Sequence, residues 1–73
     1  MSLMREDKQD ICDKLLVALQ ATRQYWDLIG LEYSKSDSAE IVTAVFMNGY
    51  RKPINVALDS GSAMIRDIVR ALA

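Results

Sequence analysis

Glu40-Ile41-Val42-Thr43-Ala44-Val45-Phe46-Met47-Asn48-Gly49-Tyr50-Arg51-Lys52-Pro53-Ile54-Asn55-Val56 is the stretch that decides the fold. Its first half is crowded with β-branched and aromatic side chains, which suit a pleated, half-buried surface. Asn48-Gly49 then supplies the dipeptide favoured in a two-residue type I′ turn, where both central residues need positive φ. The reading is an antiparallel hairpin. With Asn48 and Gly49 as the loop, Met47 faces Tyr50, Val45 faces Lys52, Thr43 faces Ile54 and Ile41 faces Val56. This register assigns Ile41, Thr43, Val45, Met47, Tyr50, Ile54, Val56 and Leu58 to the core. The opposite face carries Val42, Ala44, Phe46, Arg51, Pro53, Asn55 and Ala57, less polar than a solvated sheet surface should be.

Upstream, the period lengthens from two to between three and four. Ile11 or Cys12, Leu15, Leu16, Leu19, Thr22, Arg23, Trp26 and Ile29 form one stripe, predicting a helix from Met4 to Leu28 with Gly30 as its stop. Glu6, Asp7 and Asp10 fall in its opening turns, where carboxylates meet the positive end of the helix dipole. Leu31-Glu32-Tyr33-Ser34 alternates as a short strand does, and Ser34 to Ser38 is a polar turn. A helix of this length spans nearly 40 Å, more than the strands need, so its overhang is expected to serve a dimer. Downstream, Asp59-Ser60-Gly61-Ser62 offers capping oxygens, and Ile65, Ile68, Val69 and Leu72 restore helical spacing from near Ser60. The fold class is therefore α+β: a helix, an antiparallel three-stranded meander and a second helix.

Seventy-three residues allow one domain, because so short a chain buries only about 60% of its unfolded surface. Cores of this size supply roughly 3–5 kcal/mol, and small domains usually add a disulfide, a metal or a partner subunit. One cysteine and no histidine leave neither an internal disulfide nor a common zinc set, so self-association is the expected support. The lone thiol suits a reducing compartment, no apolar run is long enough to span a bilayer, and Met1 to Asp7 lack the order of a signal peptide. A cytoplasmic location is the expectation. Met1-Ser2-Leu3 reads as a vector leader ahead of a natural start at Met4. The net charge of −1 argues against a general polyanion binder, although residues 1–40 carry −3 and residues 41–73 carry +2.

Each chemically suggestive residue also has a plain structural reading. Cys12 lacks a histidine base and is flanked at helical spacing by Leu15, Leu16 and Leu19, so it reads as a buried structural thiol. Asp59 to Ser62 could contact an anion at a helix start, but the surrounding glycines and lysine of a P-loop are missing, and capping is the simpler role. Asp7, Asp10 and Asp13 drift round the helix between Lys8 and Lys14 as a solvated face does. Tyr25, Trp26, Tyr33, Phe46 and Tyr50 could form a base-stacking platform only on an open sheet face, and this register puts Phe46 alone there. No catalytic, metal or cofactor site is assigned.

The order helix, three-stranded meander, helix resembles the double-stranded-RNA-binding domain in topology and length. That family grips phosphates with a lysine-rich start to its second helix, where this chain has Asp59-Ser60-Gly61-Ser62-Ala63. A second resemblance covers Glu40 to Leu72. Glu40-Ile41-Val42, Phe46-Met47-Asn48-Gly49, Ile54-Asn55-Val56, Asp59-Ser60-Gly61 and Asp67-Ile68 look like short uncharacterised bacterial proteins, some associated with phage or mobile elements. This resemblance implies a bacterial setting and no activity.

The expected function is a non-enzymatic, homodimeric interaction module whose interface is Val42, Ala44, Phe46 and Ala57, open to a further protein partner. The alternative is a nucleic-acid-binding accessory protein using Arg51, Lys52, Arg66 and Arg70 as a basic patch. An enzyme ranks last, because no nucleophile and base converge in the sequence.

Overall fold

The computed structural model describes residues 7–73. The leader assigned to residues 1–3 and the helix start placed at Met4 lie outside the described residues. The elements are α1 (Lys8–Gln20), β1 (Leu28–Lys35), β2 (Glu40–Phe46), β3 (Arg51–Asn55) and α2 (Gly61–Leu72). The strands form one antiparallel sheet in the order β1-β2-β3. This is the α+β helix, meander, helix order that the sequence predicts.

Helix α1 opens at Asp7, whose carboxylate accepts from the Asp10 amide at 3.1 Å. It has 13 described residues and stops at Gln20, well before the expected Leu28. The Thr22 hydroxyl donates to the Leu19 carbonyl at 2.7 Å and accepts from the Tyr25 amide at 3.2 Å, so a side chain replaces the helical ladder there. Residues from Leu28 onward find a better partner in β2: Leu28 lies opposite Phe46, and the Met47 amide donates to the Asp27 carbonyl at 2.8 Å. Gly30 is thus a strand residue and not a helix stop. An irregularity between Leu28 and Gly30 inserts one extra residue, so that Leu28 and Leu31 both point inward. Thirteen residues rise about 20 Å, so the described helix has no overhang to lend to a partner.

The hairpin also departs from the expected register. Ile41 pairs with Asn55, Val42 with Ile54, Thr43 with Pro53, Ala44 with Lys52 and Val45 with Arg51, a slip of one residue. The cause is the turn. The Gly49 amide donates to the Phe46 carbonyl at 2.9 Å and the Phe46 amide to the Tyr50 carbonyl at 2.8 Å, making a three-residue loop of Met47, Asn48 and Gly49. Only Gly49, at φ 92°, is left-handed in this loop, as in a turn followed by a glycine bulge. The Asn48 side chain locks the loop by accepting from the Tyr50 amide at 2.9 Å. A slip of one residue exchanges the faces of a strand. Val42 and Ala44 are consequently buried, while Ile41, Thr43 and Val45 lie on the open face.

An alanine Cβ at Gly49 would meet no atom within 4 Å, so Gly49→Ala isolates the backbone cost. Its expected effect is a loss of roughly 1 kcal/mol. The urea midpoint should fall while the slope of the transition stays constant.

Both helices cover the same side of the sheet. Cys12 of α1, Leu28, Leu31, Val42, Ala44, Ile54 and Val56 of the sheet region, and Met64 and Ile68 of α2 form one buried cluster. Two ties from charged side chains hold the layers. Lys8 Nζ donates to Glu40 Oε1 at 2.8 Å, with both side chains less than one-fifth exposed, and lies 5.9 Å from the Tyr33 ring centre. That hydrogen bond raises the Lys8 pKa and lowers that of Glu40. Lys52 Nζ donates to the Ala71 carbonyl at 2.7 Å, placing a cation where the α2 dipole is negative. At the other end of α2, the Ser60 hydroxyl accepts from the Ala63 amide at 3.2 Å, the capping role expected for this segment.

The two edges of the sheet are treated differently. Gln9 of α1 reads the β1 edge as a strand would: its Nε2 donates to the Leu31 carbonyl at 3.1 Å and its Oε1 accepts from the Tyr33 amide at 2.9 Å. Gln20 Nε2 adds a bond of 2.8 Å to the Leu28 carbonyl. On β3, the Val56 amide bonds Glu40 and the Tyr50 carbonyl bonds Phe46. By antiparallel alternation, Arg51, Pro53 and Asn55 turn their backbone groups outward. The middle one of these three is a proline, which has no N–H to offer.

Candidate interaction surface

The register that buries Val42 and Ala44 determines what the outer surface can be. Along β2 the open face shows Ile41, Thr43 and Val45, each half-buried by its neighbours within the sheet. Glu32 of β1 and Arg51 of β3 reach across β2 to form an ion pair of 2.9 Å. Both side chains are more than half exposed, so the pair contributes less than about 1 kcal/mol to the isolated fold. Its consequence is positional: the face carries both signs of charge beside an apolar stripe.

Large exposed side chains also occur near the β2–β3 loop. The bond from Met47 to Asp27 sets the β2–β3 loop beside the start of β1, so the backbone around Trp26 and Leu28 lies close to Met47. Exposures are 63% for Trp26, 50% for Ile29, 59% for Met47 and 57% for Tyr50. Tyr50 lies opposite Phe46 in the hairpin, with ring centres 5.7 Å apart, and so belongs to the helix side of the sheet and not to the open face. Trp and Met are enriched at the centres of protein interfaces.

The interface residues expected from the sequence require correction. Val42 and Ala44 have no exposed surface, Phe46 is partly buried against the core and Ala57 is half-buried. The three-residue loop turned that half of the hairpin inward. Sequence reasoning missed Trp26 and Ile29 because it counted them in a helical stripe, and Met47 because the two-residue loop sent it to the core. A usable signal was present: shifting the register by one residue pairs Val42 with Ile54, joining two apolar positions across the hairpin.

The four basic residues do not form one patch. Arg51 lies on the open face with Glu32, whereas Lys52 points to the helix side and holds the end of α2. Arg66 and Arg70 are exposed on α2, with Arg66 Nε 3.6 Å from Asp67 Oδ1. The thickness of the sheet separates Arg51 from the other three. The start of α2 brings Asp59 in place of the lysines used by double-stranded-RNA-binding domains.

Cys12 is fully buried, and burial pushes its thiol up to about 11, with the Asp13 charge adding to the effect. A thiol in this state is a packing group and a poor nucleophile. Among the described residues, no three His, Cys, Asp or Glu side chains converge as a metal set would, and no helix is long and apolar enough to cross a membrane. A shallow groove of about 380 Å³ runs between the β1–β2 turn and Leu58, open to solvent along its length.

Together these features define a two-layer α+β domain with both helices on one side and an uncovered, partly apolar sheet face on the other. No family model, curated protein or solved structure matches the chain.

Proposed function

We propose that this chain is a small non-enzymatic interaction module that pairs with a second copy of itself through the open sheet face. The observation that carries this reading is the open Ile41, Thr43, Val45 stripe, with Trp26, Ile29 and Met47 exposed near the hairpin loop. A second copy is favoured over another partner because Glu32 and Arg51 stand on the same face. In a two-fold arrangement each Arg51 can meet the Glu32 of the partner, so the face can complement itself in charge. A specific interface needs about 800 Å² from each partner, close to one-sixth of the 4953 Å² that the chain exposes. The open sheet face is the surface offered for that area.

Sedimentation and light scattering across a dilution series test the proposal. The expected result is a dimer at high micromolar concentration. The double variant Trp26→Ser, Met47→Ser should lose at least tenfold in dimer affinity, since a few large side chains dominate interface energetics. Its monomer melting curve should remain close to the parent's, because both side chains are exposed. A parent chain that stays monomeric at every concentration overturns self-pairing, and the face would then belong to a different protein partner.

A further inference from the structure

Asn48 and Gly49, which fix the register of the hairpin, also place a nucleophile beside an electrophile. The chain has two asparagines, Asn48 and Asn55. Each side chain accepts from the amide two residues on, Asn48 from Tyr50 and Asn55 from Ala57, both at 2.9 Å. The residue that follows each one separates them. Val56 is fully buried, its amide donates to the Glu40 carbonyl at 3.0 Å, and its branched Cβ crowds the nitrogen. Gly49 is exposed, and even a Cβ built on it would meet nothing within 4 Å. The Gly49 backbone nitrogen is therefore the open one of the two.

We propose that Asn48 is a site of spontaneous deamidation, and that the closed hairpin loop guards it. In this reaction the Gly49 nitrogen gives its proton to solvent base and bonds to Asn48 Cγ. The bond from Cγ to Nδ2 breaks, ammonia leaves, and a succinimide ring closes. Water then opens the ring at either carbonyl to leave aspartate or isoaspartate, with no oxidation or reduction. In the closed loop the Gly49 proton is held by the Phe46 carbonyl at 2.9 Å, and the Asn48 carboxamide oxygen is held by the Tyr50 amide. Both bonds must open before nitrogen and carbon can meet, so the rate follows the fraction of chains with an open loop.

The two products act differently on the fold. Aspartate keeps an oxygen that can accept from the Tyr50 amide. Isoaspartate carries the main chain through Cβ and lengthens the backbone of a loop whose two bonds to Phe46 set the register. That product loses the geometry that guarded the site.

The test incubates the full chain at mildly alkaline pH and low concentration, folded and in denaturant, and follows deamidation by mass spectrometry with peptide mapping. Asn48 should react in denaturant and at least about tenfold more slowly in the folded chain, with Asn55 slower than Asn48 in denaturant. Hydrogen exchange at the Gly49 amide should show protection of the same order, since one opening exposes both. The isoaspartyl product should have a lower urea midpoint than the parent, whereas Asn48→Asp should stay close to it. Equal rates with and without denaturant, or a protected Gly49 amide beside unretarded deamidation, overturn the guard. An Asn48 that stays intact in denaturant overturns the site.

Discussion

Val42→Asp is expected to leave the chain unfolded in water at room temperature, while Val45→Asp folds with a near-parental amide spectrum. Val42 has no exposed surface and lies opposite Ile54 in the cluster that joins the sheet to both helices. An ionised carboxylate placed there has no partner, and its burial costs several kcal/mol. A domain of this size holds only about 3–5 kcal/mol in total, so the substitution removes most or all of the folded population. Val45 faces the open side next to Arg51, where an aspartate keeps its water and gains a cation, at a cost within about 1 kcal/mol. Circular dichroism and amide NMR of the two variants are sufficient. A folded Val42→Asp beside an unfolded Val45→Asp would falsify the three-residue loop and restore the two-residue register.

Leu28→Ala is the second large effect, with an expected loss of roughly 2–5 kcal/mol. Leu28 is among the largest side chains with no exposed surface, and it enters the core at the first position of β1. Trp26, two residues earlier and much larger, is 63% exposed, so Trp26→Ala should change monomer stability by less than about 1 kcal/mol. A continuous helix through this segment predicts the reverse ranking, because its apolar stripe includes Trp26 and Ile29 and omits Leu28. Urea midpoints at low protein concentration, where self-association is suppressed, separate the two.

These pairs also show which features could be read from sequence. Element order was legible because the period changes twice, at the β-branched run from Glu40 and at the capping segment before Gly61, and both changes have local causes. Helix α2 was legible for the same reason. The end of α1 was not: Ala21, Thr22, Arg23 and Gln24 are acceptable helical residues, and the decision rests on what Leu28 gains by pairing with Phe46, far along the chain. The irregularity beside Gly30 hid that gain by breaking the alternation of β1. The hairpin was legible as a hairpin but not in register, since Asn-Gly serves both a two-residue turn and a bulged three-residue loop. That ambiguity of one residue carried through to the candidate surface and exchanged Val42 and Ala44 for Ile41, Thr43 and Val45.

The glutamine contacts on β1 and the proline on β3 bear on how far an assembly of these chains can grow. Polymerisation by adding strands needs an edge whose amides and carbonyls are free to template the next chain. Here one edge is occupied by Gln9 and Gln20, and the other is interrupted at its middle by Pro53. Open-ended growth into a fibril is therefore blocked in both directions of the sheet. Association through the face is a different geometry, because two copies meeting across a two-fold axis consume the surface that joins them. A pair joined through the face would therefore be finite, with neither sheet edge open to extend it into a filament.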